Sequence, residues 1–295
     1  MIMGLDNMNI FKLIEASHKL PNIPISVIRA LNILSSPTTL SIDELVECLS
    51  DIPNLEQYII HYLNNGYFKL SHEINSSREA VIYLGMETVK NIIISFIIRL
   101  LLSDKLGGSK VFSSSTYWRH CIATSVASFM ISEKIGIGDK YKLFTYGLIH
   151  DIGISVLDIC LPEMIDDIYN LQLEKKLHSM IAERTVLHGL THEDIGAWLC
   201  DKWNLPDDIK NIILFHHRPL LSKVDIAEIK IMHLADTIST NYYERLIGIN
   251  TTYMYENKLM ESIGISESML IEIRDKLNDE MEKAKQLLNM QLLSL

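Results

Sequence analysis

Apolar residues recur at spacings of three and four over most of the chain, and strict alternation is nearly absent, so the pattern predicts an all-α protein. Two helix starts are marked early. Ser41 with Glu44 and Ser76 with Glu79 both have the spacing of a capping box ahead of apolar positions, which satisfies backbone N–H groups left open at a helix start. Residues 51–55, with Pro53, read as a turn, and Gly85 divides a helix over 79–84 from an apolar helix beginning near Met86. These segments make an N-terminal helical lobe over residues 20–105, preceded by an N-terminal segment, 1–19.

The polar run 103–115, with Gly107, Gly108 and three consecutive serines, is the expected lobe boundary. Beyond it the spacing predicts a second bundle, 116–245. Its helices are 117–131, with Trp118, Ile122, Val126 and Phe129 on one face and His120 near its start; 141–160, broken by Gly153; 193–203, stopping before Pro206; 207–215, ending at His216, His217 and Pro219; and 226–243. The tail, 246–295, places Leu270, Ile273, Leu277, Met281, Ala284 and Leu288 at helical spacing. It reads as a helix closing the core rather than one that binds a partner or dimerises.

At 295 residues and 48% hydrophobic, the chain can bury one large or two moderate cores. A net charge of −10 leaves no basic stripe to displace counterions from phosphates, which excludes nonspecific binding to a nucleic acid polymer and favours protein partners or a small ligand. Cys48, Cys121, Cys160 and Cys200 are isolated in sequence, so neither a disulfide framework nor a zinc ribbon is expected, and buried thiols in a reducing cytoplasm are. The first residues lack a basic start followed by a long apolar stretch, as a secretory signal needs. The apolar run 91–102 is about half a bilayer span and is interrupted by Arg99, so it is expected in a core rather than a membrane.

Seven residues are of types that bind a hard or borderline metal: His120, His150, Asp151, His192, His216, His217 and Asp236. Each histidine among them is expected at or near a helix end, where side chains from several helices can converge. His18, His61, His72, His178, His188 and His233 are read as ordinary surface or core side chains. Imidazoles with one or two carboxylates suit iron, manganese, nickel or zinc, and an open position on such a cation activates water near neutral pH. A pair of cations would clamp the oxygens of a phosphoryl displacement, with one carboxylate shared between them. The same side chains can also hold a metal for structure alone, or hydrogen-bond one another without any metal.

The segments WRHC, LIHDIG, LTHEDIGAWLCDKWNLPDDI, FHHRP and HLADTIS, in that order, resemble HDOD domains, signalling-associated relatives of the HD and HD-GYP metal-dependent phosphohydrolases. The earlier segments LPNIPISVIRALNIL and INSSREAVIYLGMETVKN resemble the helical lobe that opens such a domain. The likeness runs from about Leu20 to Tyr243. It implies that His120, His150, Asp151 and Asp236 form a first metal set and that His192, His216 and His217 add a second, with Asp151 bridging. It also implies a place in bacterial signal transduction.

Three departures bear on activity. Ile154 stands where active HD-GYP enzymes carry a lysine toward the phosphate, and an apolar side chain cannot supply that charge. The glycine-tyrosine-proline run after the paired histidines is replaced by HHRPLLSKVD, and Thr116 stands where some of those enzymes place a glutamate ligand. Of the nearby cations, Arg119 is turned about 100° from His120 by the helical period, which leaves Arg218 for a phosphate or for a salt bridge at the pocket rim. The expectation is therefore a regulatory module that keeps a divalent-metal pocket and acts through signalling proteins or a small phosphorylated ligand, without efficient catalysis or membrane insertion. The alternatives are a metal-dependent phosphohydrolase acting on a nucleotide or cyclic dinucleotide, and a metal-free interaction scaffold.

Overall fold

The structure, a computed structural model, describes residues 9–34, 40–52, 55–64, 70–103, 107–224, 227–243 and 254–288. Among them there are α-helices and one short 3-10 turn but no strand, so the chain is all-α. A short first helix, α1 (Ile10–Ala16), starts where the Asn9 side chain accepts the Lys12 N–H and packs on the later helix that follows Asp151. The lobe proper is α2 (Ile25–Leu34), α3 (Ile42–Ser50), α4 (Leu55–Asn64), α5 (Ser77–Leu84) and α6 (Met86–Ser103).

Ser41 and Glu44 form the complete capping box expected at α3. At α5 only half of it forms. Ser76 accepts the Glu79 N–H, but the Glu79 carboxylate takes the N–H of Asn75, 2.8 Å away, instead of that of Ser76. Gly85, at φ 85°, stops α5 and lets α6 leave in a new direction. Residues 91–98 of α6 are all buried, as expected of a core helix. Pro53 and the side chains of Arg99 and Cys48 lie outside the described residues.

The second bundle is built around α7 (Ser114–Ile135), against which α8 (Lys140–Gly147), α14 (Ala227–Tyr242) and α16 (Glu267–Leu288) pack. The spacing of Trp118, Ile122, Val126 and Phe129 predicts one apolar face. Instead residues 120–129 are buried on every side, because helices surround α7 and its Ala123, Ser125, Ala127 and Ser128 are small enough to admit them. Ser128 meets the geometry by donating to the carbonyls of Ser125 and Leu143.

The expected helix over 141–160 is two helices, and the break lies at 148–151 rather than at Gly153. Gly153 sits in the first turn of α9 (Ile152–Cys160), where an added Cβ would lie 1.9 Å from the carbonyl oxygen of His192. Its role is therefore close packing of α9 on α12 (His192–Lys202). Between them run α10 (Pro162–Lys175) and α11 (Ser179–Val186), additions to the five bundle helices expected. Next come α13 (Asp207–Phe215), whose bounds match expectation, the 3-10 turn Pro219–Leu221, α14, and α15 (Asn257–Ser262).

Helix α16 buries Leu270, Ile273, Leu277, Met281 and Ala284, largely against α7, as its periodicity requires; the Leu288 side chain lies outside the described ones. Buried apolar side chains form one continuous core from Ile10 to Ala284. Among the described residues, Lys140–Cys160, and not the 91–102 run, is long and apolar enough to reach across a bilayer, and its residues 143–160 are all buried in the protein. Cys121, Cys160 and Cys200 are buried free thiols, and burial pushes the Cys200 thiol up to about 12.

The polar boundary after α6 is bonded down. Asp158, in α9, accepts the N–H groups of Gly107, Gly108 and Ser109. Asp166, in α10, accepts the Ser109 hydroxyl and the Lys110 N–H. The chain joining the two helical groups is thereby anchored to the helix that begins at Asp151.

Candidate metal centre

The break between α8 and α9 serves the site. Helix α8 ends at Gly147, three turn residues follow, and Asp151 begins α9 without using its carboxylate as a cap. That leaves the His150 and Asp151 side chains free to point inward, where they are 0% and 4% exposed. His120 enters from the second turn of α7, farther from a helix end than expected. His192 is the first residue of α12, His216 follows the last residue of α13, His217 is next to it, and Asp236 lies within α14.

All seven expected residues meet. His120 Nε2 is 3.4 Å from Asp151 Oδ2 and 3.2 Å from Asp236 Oδ1. His150 Nε2 is 3.2 Å from Asp151 Oδ2. The other Asp151 oxygen, Oδ1, lies 3.3 Å from both His192 Nε2 and His216 Nε2. His217 Nδ1 approaches Asp236 Oδ2 at 3.5 Å. Two groups of donor atoms, each within 4.8 Å of one another, are His120, His150 and Asp151 on one side and Asp151, His192, His216 and His217 on the other. Asp151 belongs to both.

Hydrogen bonds behind the rings settle which nitrogens face inward. His150 Nδ1 and His216 Nδ1 lie 2.9 Å from the carbonyls of Gly147 and Ile213, one turn back in the chain. A carbonyl only accepts, so both Nδ1 atoms carry hydrogen. His192 Nδ1 donates to Glu183 Oε2 at 2.8 Å, and His120 Nδ1 meets the Ser239 hydroxyl at 3.2 Å. Neutral rings held this way turn bare Nε2 lone pairs toward one another and toward Asp151. His120 Nε2 and His150 Nε2 are 3.3 Å apart, and His192 Nε2 and His216 Nε2 are 3.4 Å apart. Asp151 Oδ1 is buried and accepts no well-directed hydrogen bond. Lone pairs in such contact repel unless positive charge lies among them, as protons or as a cation.

The electrostatics have the same cause. Burial opposes charge on His120, but hydrogen bonds to Asp151 and Asp236 outweigh it and raise the imidazole to about 9. Burial likewise opposes charge on His150, and the Asp151 carboxylate raises it to about 10. His192 is raised well above its ordinary value, burial being overcome by the charge of Glu183 and the hydrogen bond to Asp151. His217 is pushed well below, by burial and by the neighbouring His216. Burial opposes ionisation of Asp151 and Asp236, but the imidazoles hold both carboxyls well below the usual carboxylate range.

A cavity of about 260 Å³ opens beside the donors. Its walls carry His120, Asp151, His192, His217 and Asp236 from the donor set, with Ile154, Met180 and Met254 as apolar patches. Among the described residues the lining holds no lysine or arginine. Arg119 is exposed on α7. Arg218 takes the second of its two expected roles: its Nε pairs with Glu193 at 2.8 Å and its Nη2 with Asp194 at 3.4 Å. Glu193 is fully buried, so that guanidinium neutralises a buried carboxylate and is not spare for a phosphate.

Four further residues belong to the site. Glu183 holds His192, Glu193 accepts the His217 N–H at 3.1 Å, and His178 and His233, both read as ordinary, line the cavity, His233 with its Nδ1 2.7 Å from the His216 carbonyl. Glu193 had a signal, since it follows His192 directly. Glu183 had none, because the fold of α11 onto α12 brings it there.

The family model of the HDOD domain matches residues 20–219. A curated protein of Treponema pallidum (strain Nichols), described as uncharacterized, is 24% identical over 233 residues, which are 73% of this chain. The chain spans 42% of that relative's length. The crystal structure of an HDOD domain protein with unknown function from Geobacter sulfurreducens superposes with a TM-score of 0.62 at 22% identity, covering 92% of this chain and 99% of that one. A candidate phosphohydrolase from Shewanella amazonensis SB2B gives 0.66 at 17% identity, covering 93% and 97%. A candidate signal transduction protein from Marinobacter aquaeolei VT8 gives 0.68 at 16% identity, covering 96% of this chain and 61% of that one. At these identities the structural likeness concerns the fold.

Proposed function

The chain belongs to the HDOD domain family, and from that premise we propose that it is a regulatory module of bacterial signal transduction that keeps a divalent-metal pocket and does not turn over phosphoesters efficiently. One observation carries the reading. Seven metal-type donors converge beside a cavity whose described lining has no lysine or arginine and has Ile154 in its wall. The fit to a cation rests on the Nε2 lone pairs facing the orphaned Asp151 Oδ1.

His120, His150, Asp151 and Asp236 would hold one cation, and Asp151, His192, His216 and His217 a second. Imidazole and carboxylate donors suit iron, manganese, nickel or zinc. Such a cation, when bound, supplies Lewis acidity toward a phosphoryl oxygen. The protein's own part is to fix the ring tautomers, keep the donors out of bulk water, and leave one open cavity wall for a ligand. Without cationic side chains that wall offers little to spread the charge of a phosphoryl group in transit. The module would instead act through a signalling partner or a small phosphorylated ligand. Its buried free thiols are in keeping with the reducing cytoplasm.

A second reading, a phosphohydrolase, is favoured by the position of Asp151 between the two donor groups. Elemental analysis of protein purified without chelators, then phosphodiesterase and phosphatase assays with each of the four metals, separates the readings. Bound metal with no turnover is the expected result. Turnover that disappears in Asp151→Ala, with the fold intact, would replace the first reading by the second. Protein that takes up no metal overturns both.

A further inference from the structure

Four imidazoles of the site are braced from behind, and they are not braced alike. His150 and His216 lean on main-chain carbonyls of Gly147 and Ile213, and His120 on the Ser239 hydroxyl. These are neutral acceptors. His192 leans on a carboxylate. Glu183 reaches across from α11, and its Oε2 accepts both the ring Nδ1–H at 2.8 Å and the backbone N–H of His192 at 2.9 Å.

The Glu183 side chain is 8% exposed, and among the described residues no lysine or arginine pairs with it. Glu193 shows the contrast, because there Arg218 answers the charge. Glu183 therefore spends its charge on one ring. An anionic acceptor pulls on the Nδ1–H more strongly than a carbonyl or hydroxyl does. Electron density gained by the ring appears at Nε2, which becomes the better metal donor. The two-point grip also fixes where that nitrogen points.

His192 belongs to the donor group with three imidazoles, His192, His216 and His217 beside Asp151, whereas the other sets two, His120 and His150, beside Asp151 and Asp236. We propose that Glu183 makes the position formed by Asp151, His192, His216 and His217 the tighter of the two cation positions, so that it fills first. This rests on the metal-pocket reading above. Glu183 is here a positioning residue, acting through His192.

The test is a calorimetric titration of metal-free protein with Mn²⁺, comparing wild type with Glu183→Gln. Glutamine keeps an oxygen to accept both N–H groups and removes the charge. Wild type should show two classes of site. In the variant the tighter class should weaken by about 10- to 100-fold, the usual scale for such supporting groups, and the weaker class should stay as it was. Equal weakening of both classes, or of neither, overturns the proposal.

A second measurement needs no variant. In wild type carrying ¹⁵N-labelled histidine, substoichiometric Zn²⁺, which is diamagnetic, should shift the ring nitrogen signals of His192, His216 and His217 before those of His120 and His150, and the reverse order overturns it. Wild type that binds none of iron, manganese, nickel and zinc overturns the metal-pocket reading as well. Two bound cations with an unaffected Glu183→Gln overturn the assignment to Glu183 alone.

Discussion

Helix α9 carries two buried aspartates, Asp151 at its start and Asp158 near its end, and their surroundings are opposite. Asp158 is 0% exposed and faces donors only, the N–H groups of Gly107, Gly108 and Ser109. Asp151 is 4% exposed, and the Nε2 atoms turned toward it carry a hydrogen only when their imidazoles are charged, because each neutral ring has its one hydrogen on the Nδ1 behind. The first cluster is complete as it stands. The second is complete only with added positive charge. A buried carboxylate whose needs the chain itself meets is structural, whereas one whose neighbours compete with it for protons marks a site for something else.

The largest expected effect falls on the complete cluster. Asp158→Ala removes a buried carboxylate that accepts three N–H groups, that of buried Ser109 among them, and a hydrogen bond to a charged group is worth about 1.5–3 kcal/mol, so unfolding free energy should drop by about 3 kcal/mol with metal content unchanged. Equilibrium denaturation and elemental analysis read both. A variant that loses metal but keeps stability would reverse the contrast. Next, Asp151→Asn should weaken metal binding by about 100-fold or more, since losing a direct donor should cost at least as much as losing a supporting one. Calorimetry on the folded variant decides it, and an unchanged affinity would show that Asp151 is not a shared ligand.

The third effect depends on pH. His120 and His150, raised to about 9 and about 10, keep protons in the folded metal-free protein that the unfolded chain releases above about pH 6.5. Their ion pairs with Asp151 and Asp236 therefore stabilise fully below that pH, and the stabilisation is lost as pH rises through 9 to 10. Metal affinity moves the other way, because a ligand ring must be neutral. Melting temperature in chelator should fall across that interval while metal affinity rises. Parallel trends in the two would contradict the donor set. The smallest effect belongs to Ser239→Ala. It removes a neutral brace from His120 and should weaken one cation position by less than about tenfold, as titration would show.

Much of this was legible in residue order because helices announce themselves locally. The capping box at Ser41, the stop at Gly85, the bounds of α13 and the buried stripe of α16 all follow from patterns a few residues long. The seven donor types were legible for another reason, since their chemistry is rare enough to stand out. The misjudged positions depend on neighbours. Gly153 reads as a helix breaker, but it is the point where α9 touches α12. The face of α7 reads as amphipathic, but three helices cover its other sides. Arg218 reads as available to a phosphate or to a salt bridge at the pocket rim, and it is Glu193 that decides for the salt bridge.

Sequence by itself determined that the protein is all-α, where most helices lie, and which side chains have the chemistry to gather a cation. Periodicity and donor type are properties of single residues and their near neighbours, and they survive without a fold. Only the tertiary structure decided that Asp151 is shared between two donor groups, that His192 is braced by Glu183, and that the described cavity wall has no cation to meet a phosphate. Those are distances between residues far apart in the chain, and they exist only once the core has brought α7, α9, α12, α13 and α14 together.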